Sequence, residues 1–274
     1  MSFLFSKNTD ALKYAEETKT YGIFFEEKIS TCKDVHLHNC LEAVLCLTGH
    51  GICLSDNKIY TVKSGDMFIF NQFEPHSLKC ESPESFARFG AFFHPDYIKA
   101  RSTDLSDLSS CFYDGKTNKV TLSDTEIAKL ESLFIVFRKD MGFGDDIAKN
   151  SAIDYFLILI NRYFEQFSVK PYKSPVSDVL DFICENFSDD LSLESIASNF
   201  SCSVNHVCKL FKEELGVTSA KYISSKRVAE AKKCLTNGKS VSDTAQMCGF
   251  SDYANFIRVF KKVTGVSPGK FSRL

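Results

Sequence analysis

Residues 191–274 contain one short two-helix pattern twice, LSLESIASNFSCSVNHVCKLFKEELG at 191–216 and SVSDTAQMCGFSDYANFIRVFKKVTG at 240–265. In each copy a short helix comes first. Ser192 is placed to cap Leu193–Asn199, and Ser240 with Asp243 makes an S-x-x-D capping box for Val241–Met247. A turn of about three or four residues follows, as in helix-turn-helix pairs. The second helices, 203–215 and 251–264, are expected to open on a capping serine and to stop at Gly216 and Gly265, which suit the left-handed position after a helix.

On the second helix of the first copy, Val207, Leu210, Phe211 and Leu215 fall on one stripe and leave Asn205, Lys209 and Lys212 on the other side. On its counterpart Phe256, Val259, Phe260 and Val263 form the buried stripe, and Ala254, Arg258 and Lys261 face outward. With His206 and Cys208, which border the first stripe, these are the candidate DNA contacts. A helix entering a major groove needs this chemistry: Lys and Arg for phosphates and guanine edges, Asn for adenine, small apolar groups for thymine methyls.

The region resembles the DNA-binding domain of AraC/XylS-type bacterial transcription regulators. The resemblance rests on S-V-N-H-V-C-K-L-F-K at 203–212, on Tyr222, Arg227, Ala231 and Leu235 in the connecting helix, and on G-F-S-D-Y-A-N-F-I-R-V-F-K-K-V-T-G-V-S-P at 249–268. It implies a transcription regulator acting on double-stranded promoter DNA, with RNA polymerase as a further partner, and not an enzyme.

Charge agrees with that division. The net charge of −2 hides a basic end: residues 201–274 carry 13 Lys+Arg against 5 Asp+Glu, and the rest carry 20 against 30. The basic part is a candidate phosphate-binding surface. No apolar run approaches the roughly 18 residues that a membrane span needs, and MSFLFSKNTD lacks a signal-peptide pattern, so a cytoplasmic protein is expected. The eleven cysteines are scattered, without a C-x-x-C pair, and read mostly as small buried apolar residues. Cys208 is the one whose position makes a redox role worth testing.

From Tyr21 the chain changes to short apolar runs, YGIFF, LEAVLCL, IYTV, DMFIF and FARFGAFF, broken by Asp56-Asn57, Ser64-Gly65 and Pro75. Such runs predict an antiparallel β barrel or sandwich. Within it lies His36-x-His38-x3-Glu42-x6-Gly49, then Gly65 and, eleven residues on, His76. This spacing resembles the two cupin motifs of the barrel that precedes the DNA-binding domain in many AraC-type regulators. The second motif is degraded, with Asn71, Phe73 and Cys80 at positions where the resemblance expects Pro, Gly and Asn. His36, His38 and Glu42 share strand parity, so a continuous strand would aim all three inward.

Three readings stay open for His36, His38, Glu42 and His76. They line a pocket for a small polar effector, sugar-like as the resemblance suggests; they hold iron, manganese or zinc, as the matching residues do in metal cupins; or they brace the barrel. No cofactor is expected, with the metal set as the alternative. Arg88 is a further candidate for the effector pocket or a surface charge.

After Pro95 two helices are expected, 122–138 and an unusually apolar 145–167. In proteins resembling this one such a pair dimerises; packing on its own barrel explains the second helix equally well. The prolines of SVKPYKSP mark a linker at 168–175. The expected fold is therefore α+β: a cupin-like antiparallel β barrel with a helix pair over 1–167, serving sensing and homodimerisation, then an all-α tandem helix-turn-helix domain over 176–274. In the connecting helix, expected over 218–236, Arg227 reads as partly structural and Lys226, Lys232 and Lys233 as solvated.

Overall fold

In the computed structural model, residues 4–28, 35–167 and 169–273 are described; Ser168, the expected first linker residue, lies outside them. Among the described residues nine strands form two sheets: β1 Leu4–Phe5, β2 Tyr21–Glu27, β3 Leu41–Thr48, β4 Gly51–Ser55, β5 Lys58–Val62, β6 Asp66–Phe70, β7 His76–Cys80, β8 Ala87–Phe93 and β9 Lys119–Thr121. The larger sheet runs β1-β2-β8-β3-β6-β9 and the smaller β5-β4-β7. Every pairing between these strands is antiparallel except β1 with β2.

Alternation along the larger sheet decides what it buries. Phe24, Val44, Phe68, Phe70 and Phe92 point toward the smaller sheet and share a core with its Cys53, Tyr60, Val62 and Cys80. The intervening Ile23, Ala43, Leu45, Ile69, Ala91 and Phe93 face a layer of helices. Both faces are covered, which is why these strands read in the sequence as nearly continuous apolar runs. Gly90 permits the close inner packing, since a Cβ there would lie 2.4 Å from the Phe24 ring.

Helix α1 (Asn8–Thr18) occupies much of the segment expected only as an arm or short helix. After β8 come α2 Pro95–Arg101, α3 Ser110–Tyr113, α4 Asp124–Phe134 and α5 Asp145–Gln166. Helix α4 opens with a complete capping box between Ser123 and Glu126. The apolar stripe of α5, with Ile153, Phe156, Leu157, Ile160 and Phe164, is fully buried in the core it shares with the outer sheet face. Most of its apolar surface is thus used within the chain, while Ile147 and Tyr155 stay exposed. Large exposed apolar side chains lie between α4 and α5 at Ile135, Met141 and Phe143, with Ile147 on the first turn of α5.

The remaining helices are α6 Ser177–Glu185, α7 Leu193–Asn199, α8 Val204–Leu210, α9 Ser219–Thr236, α10 Val241–Met247, α11 Tyr253–Thr264 and α12 Pro268–Phe271. Ser192, Ser203 and Ser240 accept bonds from the backbone N–H groups of Ser195, His206 and Asp243. The expected cap of α11 is corrected by one residue. Asp252 rather than Ser251 takes that position, accepting from Ala254 N at 3.0 Å and Asn255 N at 3.2 Å, because a carboxylate can serve two N–H groups at once. Helix α8 also departs from a uniform α-helix: Phe211–Leu215 is a π-helical turn that ends on Gly216 at φ 74°. Gly265 stops α11 at φ 80°.

Candidate functional site

The cluster at the barrel interior is assembled from three pieces of chain. His36 is not part of a continuous strand with Glu42. It makes an isolated antiparallel bridge with His76 of β7, donating its N–H to the His76 carbonyl at 3.0 Å and accepting in return at 3.1 Å. The chain bends at Asn39-Cys40 before β3 begins, and Glu42 then points inward by parity with Val44. His38, Glu42 and His76 are buried and His36 is half-buried. One potential ligand atom from each of the four lies within 4.8 Å of the others.

Both Nε2 atoms, of His38 and of His76, lie 3.0 Å from the same Glu42 Oε2. Their Nδ1 atoms face backbone carbonyls, of Cys40 at 2.8 Å and of Glu74 at 2.9 Å. A carbonyl only accepts, so each Nδ1 must carry a proton, and in a neutral ring that leaves Nε2 a bare lone pair aimed at a carboxylate oxygen. Protonating both rings would bury two imidazolium ions against one carboxylate, and protonating Glu42 would supply a single donor for two rings. Burial lowers the pKa of His38, the bond to Glu42 opposing it. Burial also resists ionisation of Glu42, but bonds from the His38 and His76 rings hold the carboxyl well below its usual range, and in the absence of an ion those bonds need a proton on Nε2 as well as on Nδ1. An ion in place of those Nε2 protons would be met by two imidazole lone pairs and a carboxylate, and an Nδ1–H held by a carbonyl is the outer-shell support that fixes a ligating imidazole.

The cavity beside them, lined by His36, Glu42, Cys53, Phe68, Phe70, His76 and Arg88 among others, measures about 20 Å³. That is room for one water or one ion. Arg88 is buried rather than a surface charge, with Nε 2.8 Å from Glu26 Oε2 and its guanidinium 5.4 Å from the Phe24 ring centre.

The same part of the barrel is docked on the C-terminal helices. The β4–β5 turn inserts Asp56, whose carboxylate takes Lys226 Nζ at 2.9 and 3.0 Å and whose carbonyl accepts the Tyr222 hydroxyl at 3.1 Å. Asn57 donates to Asp181 at 2.7 Å. Lys232 Nζ donates to the His38 carbonyl at 2.8 Å and to the Gln72 carbonyl. Two of the three lysines expected in solvent, Lys226 and Lys232, are therefore buried, because the barrel supplies acceptors that α9 alone does not reveal. Lys233 is half-buried and bonded to Glu230 at 2.9 Å. Arg227 is structural, donating to the carbonyls of Phe187 and Asp189 at 2.8 and 2.7 Å.

The outward faces of the two second helices stay open. Asn205, His206, Cys208, Lys209 and Lys212 are exposed at the first, and Ala254, Arg258 and Lys261 at α11. Val207, Phe211 and Leu215 bury their opposite side in one core, and Phe256 and Phe260 theirs in another. Arg258 is steadied by Asn255 at 2.7 Å. Tyr253, exposed on the first turn of α11, is a further candidate that the stripe reading passed over because an aromatic there reads as core. Six of the ten described cysteines are buried, as expected of small apolar residues, and Cys208 is exposed.

Two family models match, an AraC-like ligand binding domain over residues 27–154 and a helix-turn-helix domain over 196–274. The chain belongs to the AraC family. Among relatives of this AraC-family chain, the bifunctional transcriptional activator/DNA repair enzyme AdaA of Bacillus subtilis is 37% identical over 107 residues, which are 37% of this chain and 51% of that protein. An HTH-type transcriptional regulator of Staphylococcus aureus is 23% identical over 231 residues, 82% of this chain and 30% of the relative. The chain thus spans about half or less of these curated relatives. The crystal structure of fatty-acid-bound ToxT from Vibrio cholerae aligns over 92% of this chain and 94% of its own at 13% identity, with a TM-score of 0.40, a level at which nothing is carried across. No helix among the described residues is long and apolar enough to cross a membrane.

Lys209→Ala and Arg258→Ala are expected to weaken binding to a target duplex by about 1–3 kcal/mol where the side chain meets a base edge, and to lower the salt slope where it meets phosphate. Fluorescence anisotropy over a salt series distinguishes these outcomes; unchanged affinity in both variants contradicts the groove assignment.

Proposed function

We propose that this AraC-family chain is a sequence-specific transcription regulator, not an enzyme, in which residues 176–274 read promoter DNA through α8 and α11, residues 1–167 sense a ligand and self-associate, and 168–175 join them. The observation that carries the DNA reading is the pair of exposed basic faces, each backed by its own apolar core on an element of the tandem repeat. Two such faces joined by one helix suit two major-groove segments on one side of a duplex. RNA polymerase fits as a further partner of a promoter-bound regulator. Self-association of two copies is assigned to the exposed apolar turn of Ile135, Met141, Phe143 and Ile147. Light scattering on the full chain should give a dimer that Phe143→Asp dissociates; a wild-type monomer at high concentration contradicts it.

For the ligand, the geometry favours a divalent first-row metal ion over a sugar-like molecule. A cavity of about 20 Å³ has no room for a sugar ring. The Nε2 atoms of His38 and His76 meet one oxygen of the Glu42 carboxylate, a set of nitrogen and oxygen donors that an ion completes and a hydroxyl group would only half satisfy. His36, His38, Glu42 and His76 would hold zinc, iron or manganese, which would supply positive charge and fixed ligand geometry to the barrel.

Elemental analysis of the full chain after exposure to each ion should find about one ion per chain. His76→Ala should lower its affinity by more than the roughly 10–100-fold that loss of an outer-shell partner costs. Saturating metal should change affinity for a duplex selected from a random pool by at least about fivefold. Metal-free protein whose DNA binding ignores zinc, iron and manganese would contradict this reading.

A further inference from the structure

We infer that residues 35–38 couple the barrel site to both DNA-reading units, an inference that deepens the sensing role proposed above and rests on the site being the one that takes the ligand. The side chains of this short stretch alternate between two tasks. His36 and His38 belong to the ligand cluster. Val35 belongs to the apolar cluster of α6 and the first helix-turn-helix unit, with Ile183, Val207 and Phe211. Leu37 belongs to that of the second unit, with Leu235, Phe256 and Phe260. Both are buried.

The backbone of the stretch is pinned on two sides. Its two bonds with His76 tie it to β7, and the His38 carbonyl accepts from Lys232 on α9, the helix that joins the two units. A ligand that draws the His36 and His38 rings together must therefore move Leu37, Val35 or Lys232, or be resisted by them. Close-packed interiors do not absorb such shifts continuously, so an ion that binds one arrangement better biases how the two units sit on α9. Other docking contacts include Asp56 with Lys226, Asn57 with Asp181 and Lys79 of β7 with the Glu213 carbonyl, and none of these side-chain bonds is made by His36, His38, Glu42 or His76. Among the described residues only the 35–38 stretch supplies both side chains to the cluster and side chains to the two helical cores.

The test measures the affinity of the full chain for a duplex that it selects from a random pool, with saturating Zn²⁺ and with chelator. Leu37→Ala and Lys232→Met are expected to bind Zn²⁺ within about threefold of wild type yet to lose the metal-driven change in DNA affinity, at least about fivefold in wild type. Asp56→Asn should keep it. Cooperative unfolding and retained Zn²⁺ binding certify the fold of each variant, and Lys232→Met, which preserves chain length and bulk, stands if Leu37→Ala does not fold. A full response in the folded coupling variants overturns the proposal. His76→Ala, read without metal, gives an independent arm: it should change DNA affinity in the wild-type background and leave it unchanged beside Lys232→Met. No effect in either background also overturns the coupling, whereas that effect in a chain that binds no Zn²⁺ removes only the metal reading and supports the coupling.

Discussion

A strand-like stretch can send side chains to two sides only, and at residues 35–38 both sides are committed. Imidazoles turn toward Glu42 and His76, while Val35 and Leu37 turn into two different helical cores. A one-residue slip would place the histidines among Phe256, Phe260 and Phe211 and bring apolar groups to the Glu42 carboxylate. Buried imidazoles without partners cost about 1–3 kcal/mol each, so the register is strongly specified. The bridge between His36 and His76 fixes it at one point, and the Lys232 bond to the His38 carbonyl fixes it at another.

Electrostatics serves two purposes in the basic half. Lys209, Lys212, Arg258 and Lys261 remain in solvent, where they can meet phosphates. Lys226 and Lys232 are used inside the chain. Lys226 is held by both Asp56 and Glu230, so its buried charge keeps one carboxylate if the other is removed. Lys232 bonds to two carbonyls and lies 5.7 and 5.8 Å from the ring centres of Phe73 and Phe271. Burial pushes its pKa down to about 7.

The C-terminal half was legible because its signals are local. Ser192 and Ser240 as caps, Gly216 and Gly265 as stops and the stripes of Phe211 and Phe260 all act within one or two helical turns. The misplaced cap of α11 was a contest between two adjacent good caps, Ser251 and Asp252, won by the carboxylate. In the N-terminal half the strongly apolar runs became β2, β3, β5, β6 and β8. Strands β4 and β7, GICLS and HSLKC, are missed because their apolar runs are short and broken by Ser, His and Lys, although Leu54 of β4 is buried against the first helix-turn-helix unit. The set of histidines and carboxylate that meets in the barrel could be read from motif spacing. The bend at Asn39-Cys40, the carbonyls behind each Nδ1 and the size of the cavity could not. The roles of Lys226 and Lys232 were hidden for the same reason: their acceptors, Asp56, His38 and Gln72, are more than a hundred residues away in sequence.

The central claim is that one short stretch belongs at once to the ligand site and to both DNA-reading units. Hydrogen–deuterium exchange on the full chain with and without Zn²⁺ tests it most directly, because exchange reports local opening segment by segment. The account predicts that Zn²⁺ alters protection at 35–38 and β7 and, in the same experiment, along α9 and in the cores beneath α8 and α11. Protection that changes only within the barrel, with α9 and both reading helices untouched, would contradict it.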